Sequence, residues 1–472
     1  MKKKLLFLLF LTLCLTVLIG CNQSAYKLDW NYQYGTLTVL SSSNGILFHQ
    51  DEWDEFSNQI DTVIVKDGIL EIGAEAFLDM KNLTTAVLHD GITEIGDCAF
   101  QGTSVQFESL PDSLTRIGAH AFAGSGFELG ELPASLRSIG AYAFAECKVP
   151  ATMVLSENLT SLKYALAESV GLKEVYLPES MMELDAGTFS GCHELTIVHF
   201  PSKIQELPHH YFQNCTALKS ISLPMYVRDI GSEAFAGCTA LEEIEFPAKL
   251  NHISREAFRN CTMLTKLTFP EGVMTIDKMA FQGCSGLTAI HFPDQLTSIY
   301  EHAFQGCTGL ETVHLPPKLA ALRENAFEGC INLFAFAIPE NSTYFSTDEL
   351  GFLYDATGKE LVLLPPKTDS TIFISDEVEV IAGEAFSTSS VQEVILPDSV
   401  IRLEHGAFWG SDVSIVCLPD SIEYIGYNLF AGCENLRTVY YCGSEAQWNE
   451  IDNIEHTNMH YSEFLIFDTP AP

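Results

Sequence analysis

The chain has 472 residues, 47% of them hydrophobic and 18% charged, which excludes a disordered polymer and supplies apolar surface for a large core. Its 62 acidic and 25 basic residues leave a net charge of −37, a surface that repels nucleic acid and anionic membrane faces and favours cationic partners. The acids are scattered and form no long block, so keeping an extended molecule soluble is the other account of them.

Lys2, Lys3 and Lys4 precede the apolar run LLFLLFLTLCLTVLIG, which leads into Cys21. A basic start, an apolar stretch and a small residue are the layout of an export signal over residues 1–20. Leu18-Ile19-Gly20-Cys21 resembles the lipobox of bacterial lipoproteins. That resemblance implies cleavage before Cys21 and lipidation of its thiol, which would hold an exported chain at the cell surface. An uncleaved anchor helix and an ordinary signal peptide are the alternatives, and each still exports the remainder. No second apolar run is long enough to span a bilayer. Residues 21–60 then read as a tether and an N-terminal cap.

From there the chain repeats itself. Phenylalanine recurs at 77, 100, 122, 144, 189, 212, 235, 258, 281, 304 and 327, with Leu166 standing in once, and again at 386, 408 and 430. Every step within these two stretches is 22 or 23 residues. Counted from that anchor, cysteine falls at +3 from Cys192 to Cys330, leucine at +6, apolar residues at +9 and +11, proline at +12 and aliphatics at +15 and +18. One such unit has too few inward side chains to close a core, so units must stack and share theirs. The alternation over +8 to +11 predicts a strand, which proline ends because it has no N–H for the ladder. The A-F-x-G-C segment predicts a short helix or a tight turn, and +15 to +18 a second short extended piece. Sixteen or so coils at a strand spacing of roughly 4.8 Å make a rod or arc about 75–80 Å long.

These units, L-x-x-I-x-x-x-A-F-x-G-C-x-x-L-x-x-I-x-x-P, resemble the BspA-type leucine-rich repeats of bacterial surface proteins. The resemblance covers about residues 60–442. Trp30 to Leu40 is similar to that family's N-terminal cap, and Val439 to Ile451 to its terminal unit. It implies a leucine-rich-repeat solenoid, elongated or curved, with one β-strand and one short helix or turn per 22–23-residue repeat and a cap at each end. It also implies a secreted or surface-attached protein that binds host matrix proteins or other cells. The expected organisation is a block of repeats over 61–340, a β-hairpin insertion over 341–372, a second block over 373–442, and a C-terminal cap and tail over 443–472. The insertion rests on two apolar runs flanking Asp355-Ala356-Thr357-Gly358-Lys359. It either projects as a contact site or bridges the blocks.

The strand positions +8 and +10 point outward and vary where the inward rows do not. Tyr176, His199, Glu243, Glu245, Lys266, Thr268, His291 and His314 are therefore the candidate ligand-binding residues, for a protein or glycan. A solvated sheet face has the same pattern. The cysteine row reads as small buried thiols, because ladder neighbours have parallel Cβ vectors unsuited to a disulfide. Bonds among Cys417, Cys433 and Cys442, which lie off that row, stay open. Zinc-type cysteine spacing is absent, and no cofactor is implied. No nucleophile, metalloprotease or phosphate-loop motif occurs, so an enzyme is not expected. The reading is a surface-anchored adhesion lipoprotein, with a ligand-free structural spacer as the alternative and an exported hydrolase the remotest.

Overall fold

The structure is a computed structural model that describes residues 27–323, 325–368, 370–453 and 464–468. Cys21 and the export signal lie outside the described residues. The chain winds as a solenoid with three rows of backbone running along it. No described helix is long and apolar enough to cross a membrane.

The first row is built from offsets +8 to +10. Strands such as Glu174–Tyr176, Glu243–Glu245 and Thr312–His314 lie parallel to their counterparts in adjoining coils. Ser220, Ile221 and Ser222 pair in register with Glu243, Ile244 and Glu245. The middle residue is buried while its two neighbours face out. Proline then ends the strand and opens a turn: the carbonyl of Pro270 accepts from the N–H of Val273 at 3.1 Å, and Pro293 does the same for Leu296. The second row holds two-residue strands at +17 and +18, such as Thr275–Ile276 beside Ser298–Ile299, with the isoleucines buried.

The third row is the A-F-x-G-C segment, and it is a turn, with no helix among its described residues. Its N–H groups alternate in direction. Those of Glu75, Phe77 and Asp79 donate to the carbonyls of Asp97, Ala99 and Gln101 in the next coil, each at 2.8 Å. Those of Ala76, Leu78 and Met80 donate three residues back within their own coil. A helix would direct its N–H groups along its own axis and could not turn alternate ones toward the next coil. The alternation requires left-handed backbone at −2 and +2, where φ is 58° for Glu75 and 57° for Asp79. That is why glycine dominates +2: Gly283 has φ 73°, which costs glycine little and other residues strain.

The fifteen anchors are all at most 1% exposed. Their rings stack along the axis, with Phe235–Phe258 at 5.0 Å and Phe258–Phe281 at 5.1 Å. The stack continues into the N-terminal region. Trp53 is fully buried and lies 6.0 Å from Phe77 with an interplanar angle of 3°. Ahead of it, Leu28–Gln33 and Thr36–Ser42 form an antiparallel hairpin whose second strand joins the first row through Thr62–Val65. At the other end Ser444 caps the helix Glu445–Trp448, and Trp448 packs edge-on against Tyr441 at 5.0 Å.

Between the two stretches of repeats, Phe345–Thr347, Leu353–Asp355 and Glu360–Leu363 form an antiparallel meander. Its last strand pairs parallel with Val380–Ile381 and so belongs to the second row. Asp355 shapes the loop after the middle strand by accepting from the backbone N–H groups of Thr357, Lys359 and Glu360. Around it the buried apolar residues separate into two clusters, one reaching Leu353 and the other running from Phe352 to Ile451.

Candidate functional site

The core side chains point inward, which leaves the outward positions of the first row open to recognition. Tyr176, His199, Glu243, Glu245, Lys266, Thr268, His291 and His314 all lie there, and all are exposed. The central positions between them, such as Val175, Ile244, Leu267 and Val313, are buried. The strand alternation therefore presents the candidates on one continuous face.

Part of that face is organised. Tyr176 and His199 occupy the same register position on adjoining strands, and their rings stack at 3.9 Å. Both reach Glu174: the Tyr176 hydroxyl donates to Oε1 at 2.9 Å, and His199 Nε2 lies 2.9 Å from the same oxygen. The hydrogen bond from His199, and next that from Tyr176, holds the Glu174 carboxyl below the usual carboxylate range. The same contact pushes the Tyr176 hydroxyl up. Val154 flanks the pair in register and is 74% exposed, and Ile197 is exposed beside Glu174. The result is an aromatic–aliphatic platform with a fixed carboxylate.

A second feature lies further along. His291, His314 and Ala337, on consecutive coils, share a shallow depression of about 360 Å³ with Phe292, Pro316 and Pro339. Asp294 lies at its margin. Glu243, Glu245, Lys266 and Thr268 sit between the two features on adjacent coils and form the polar middle of the face. Among the described residues no group of three or more histidine, cysteine or carboxylate side chains is placed to hold a metal ion.

Glu174 and Val154 were not among the sequence candidates. Val154 is ten residues beyond Phe144, so its offset was available, but the hydrogen bonds that make Glu174 the hinge of the platform depend on the neighbouring coil. Outside this face, His120, Tyr142 and Tyr164 form a second stack of rings at 5.4 Å steps on the turn row. They occupy offset −2, which in sequence is only a polar step before the next anchor. Cys417, Cys433 and Cys442 are free thiols, so no bond joins them.

The chain matches the family model for the BspA type leucine rich repeat region (6 copies) over residues 70–196, 162–288, 251–351 and 368–465. Among solved structures it is similar to a leucine-rich repeat protein from Eubacterium ventriosum, at 21% identity over 69% of this chain and 97% of that one, with a TM-score of 0.50. It is also similar to a leucine-rich repeat protein from Bacteroides ovatus, at 20% identity over 93% of this chain and 98% of that one, with a TM-score of 0.47. A leucine rich cell surface protein from Faecalibacterium prausnitzii shares 20% identity over 90% of this chain and 96% of its own, with a TM-score of 0.38. No curated protein matches the chain. Because the family model takes in well over half of the residues, across both stretches of repeats, the chain belongs to the BspA type leucine rich repeat family.

Proposed function

We propose that this protein is an exported, surface-anchored binding protein whose outward strand face engages a protein or glycan ligand. Residues 1–20 direct export and Cys21 carries the lipid. A tether and N-terminal cap over 21–60 lead into the block 61–340, which displays the face; the insertion 341–372 joins it to the second block, 373–442, and a C-terminal cap and tail over 443–472 follow. The observation that carries this reading is the organised platform of Glu174, Tyr176 and His199 on a surface that has no packing duty. A ligand meets a preset carboxylate, an aromatic stack and, further on, the histidine-lined depression. Binding is spread over many shallow contacts, as a broad interface requires.

The test is attachment. Tyr176, His199, His291 and His314 are exposed, so their replacement by serine leaves the fold intact. The exported chain carrying those four changes should bind its best partner from a panel of matrix proteins and glycans at least tenfold more weakly than the unchanged chain. Equal binding removes this face from the account. A panel that yields no partner for the unchanged chain favours the spacer.

A further inference from the structure

The outward side of the first row changes chemistry along the solenoid. Over the coils from His199 to His314, position +10 holds His199, Ser222, Glu245, Thr268, His291 and His314, all polar, while Val87, Val154, Tyr176 and Ala337 hold it on flanking coils. In the second stretch the equivalent register line is Phe373, Ile395, Cys417, Tyr440 and Ile466, paired strand to strand. The residues on the core side of the same strands, Ile372, Val394, Val416 and Val439, are buried as expected. The line therefore faces away from the core and is apolar throughout. Phe373 is 69% exposed and Ile466 45%. Ile395 and Tyr440 are half-buried, and Cys417 between them is buried.

Carboxylates border this line. Glu393 shares the sheet face, and Asp376, Asp398 and Asp420 stand exposed three residues beyond Phe373, Ile395 and Cys417. In the strand segments 370–376, 392–398, 414–420 and 437–443 these four acids face one cation, Arg437. An apolar line exposed at both ends and largely half-buried between, bordered mainly by carboxylates, is the mark of a docking surface and not of a solvated sheet. We infer that this stripe is a second docking site, distinct from the proposed ligand face, and that its occupant is a cationic amphipathic helix of a partner protein.

Two observations select that occupant. The acidic rim matches a segment carrying lysine or arginine beside its apolar residues, and it disfavours a second copy of a chain with net charge −37. Spacing selects the helix. Stripe members are about 4.8 Å apart, close to the roughly 5.4 Å pitch at which one helix face repeats. An extended peptide repeats a face every ~6.7 Å and falls out of step within two strands. The five members span about 19 Å, or three to four helical turns.

The test uses a fluorescent 18-residue model helix of leucine and lysine, its leucine–glutamate counterpart, and the full-length exported chain, read by anisotropy. The leucine–lysine helix should bind, and the leucine–glutamate helix should not. The double variant Phe373→Ser/Ile466→Ser changes exposed side chains and should weaken binding at least tenfold. Asp398→Asn/Asp420→Asn should weaken it severalfold and flatten its salt dependence. Glu243→Gln/Glu245→Gln, in the first stretch of repeats, should leave it unchanged. Binding that survives the Phe373 and Ile466 changes is general attraction to the acidic surface and overturns the inference. So does concentration-dependent self-association that those changes abolish, because the stripe is then an interface between copies.

Discussion

The cysteine row shows how much one side chain does in a repeated coil. From Cys192 to Cys330 each thiol is buried and donates to a carbonyl of the preceding coil at 3.0–3.3 Å, that of Leu166 for Cys192 and of the anchor phenylalanine for the rest. Burial pushes the Cys238 thiol up to about 12, so the proton it donates stays in place and the sulfur is a poor nucleophile. The position selects a small buried donor, and Thr103, Ser169, Ser389 and Ser411 fill it elsewhere. Sequence spacing made the row visible and predicted its burial. It did not show the donor role, because the accepting carbonyl is 26 residues away in the chain. Replacing Cys261 by alanine should cost about 1–2 kcal/mol through the lost hydrogen bond and the void. Serine should cost less. Denaturant unfolding of the two variants side by side checks this, and equal losses would mean that volume alone matters.

At the level of the element, the turn row explains the repeat better than its hydrophobic pattern does. Glycine, asparagine or aspartate at +2 marks left-handed backbone, as in Asn214 and Asn260 with φ 60°. That backbone frees alternate N–H groups to bond the next coil. The sequence left this segment open between a helix and a turn because A-F-x-G-C fits the compact geometry of both. The N-terminal cap is legible as a cap, but nothing in the sequence marks Trp53 as the first member of the aromatic stack, since it has no A-F pair and sits 24 residues before Phe77. Its ring closes the end of the core. Trp53→Ala should therefore cost about 3–5 kcal/mol, the usual toll for a buried aromatic. The loss should be local. Hydrogen exchange should show the coils before Phe100 opening while those around Phe258 keep their protection. Uniform loss along the chain would show that the cap governs the whole solenoid.

For the whole molecule, stability is a sum over neighbouring coils, so length is negotiable and register is not. Removing residues 248–270, one complete 23-residue coil, joins Pro247 to Glu271 and leaves every ladder in phase. That variant should fold, with a circular dichroism spectrum and solubility close to those of the parent. Removing residues 248–267 takes out 20 and shifts all later anchors by three positions, which turns core residues toward water. It should aggregate or unfold. If both variants behave alike, the shared interior is not what holds the coils together.

The sequence by itself determined the coil: its period, its inward rows, the place of each proline and the position of the outward face. These follow from a pattern repeated every 22 or 23 residues, and burial acts alike on each copy. Tertiary structure alone decided what happens between coils. Stacking brings residues 22 to 26 apart to within hydrogen-bonding distance, so Glu174 meets His199, each ladder thiol meets its carbonyl, and Phe373 falls into line with Ile395 and Tyr440. Contacts of that kind depend on strand register and side-chain reach across a gap, and neither is written in the spacing of one unit.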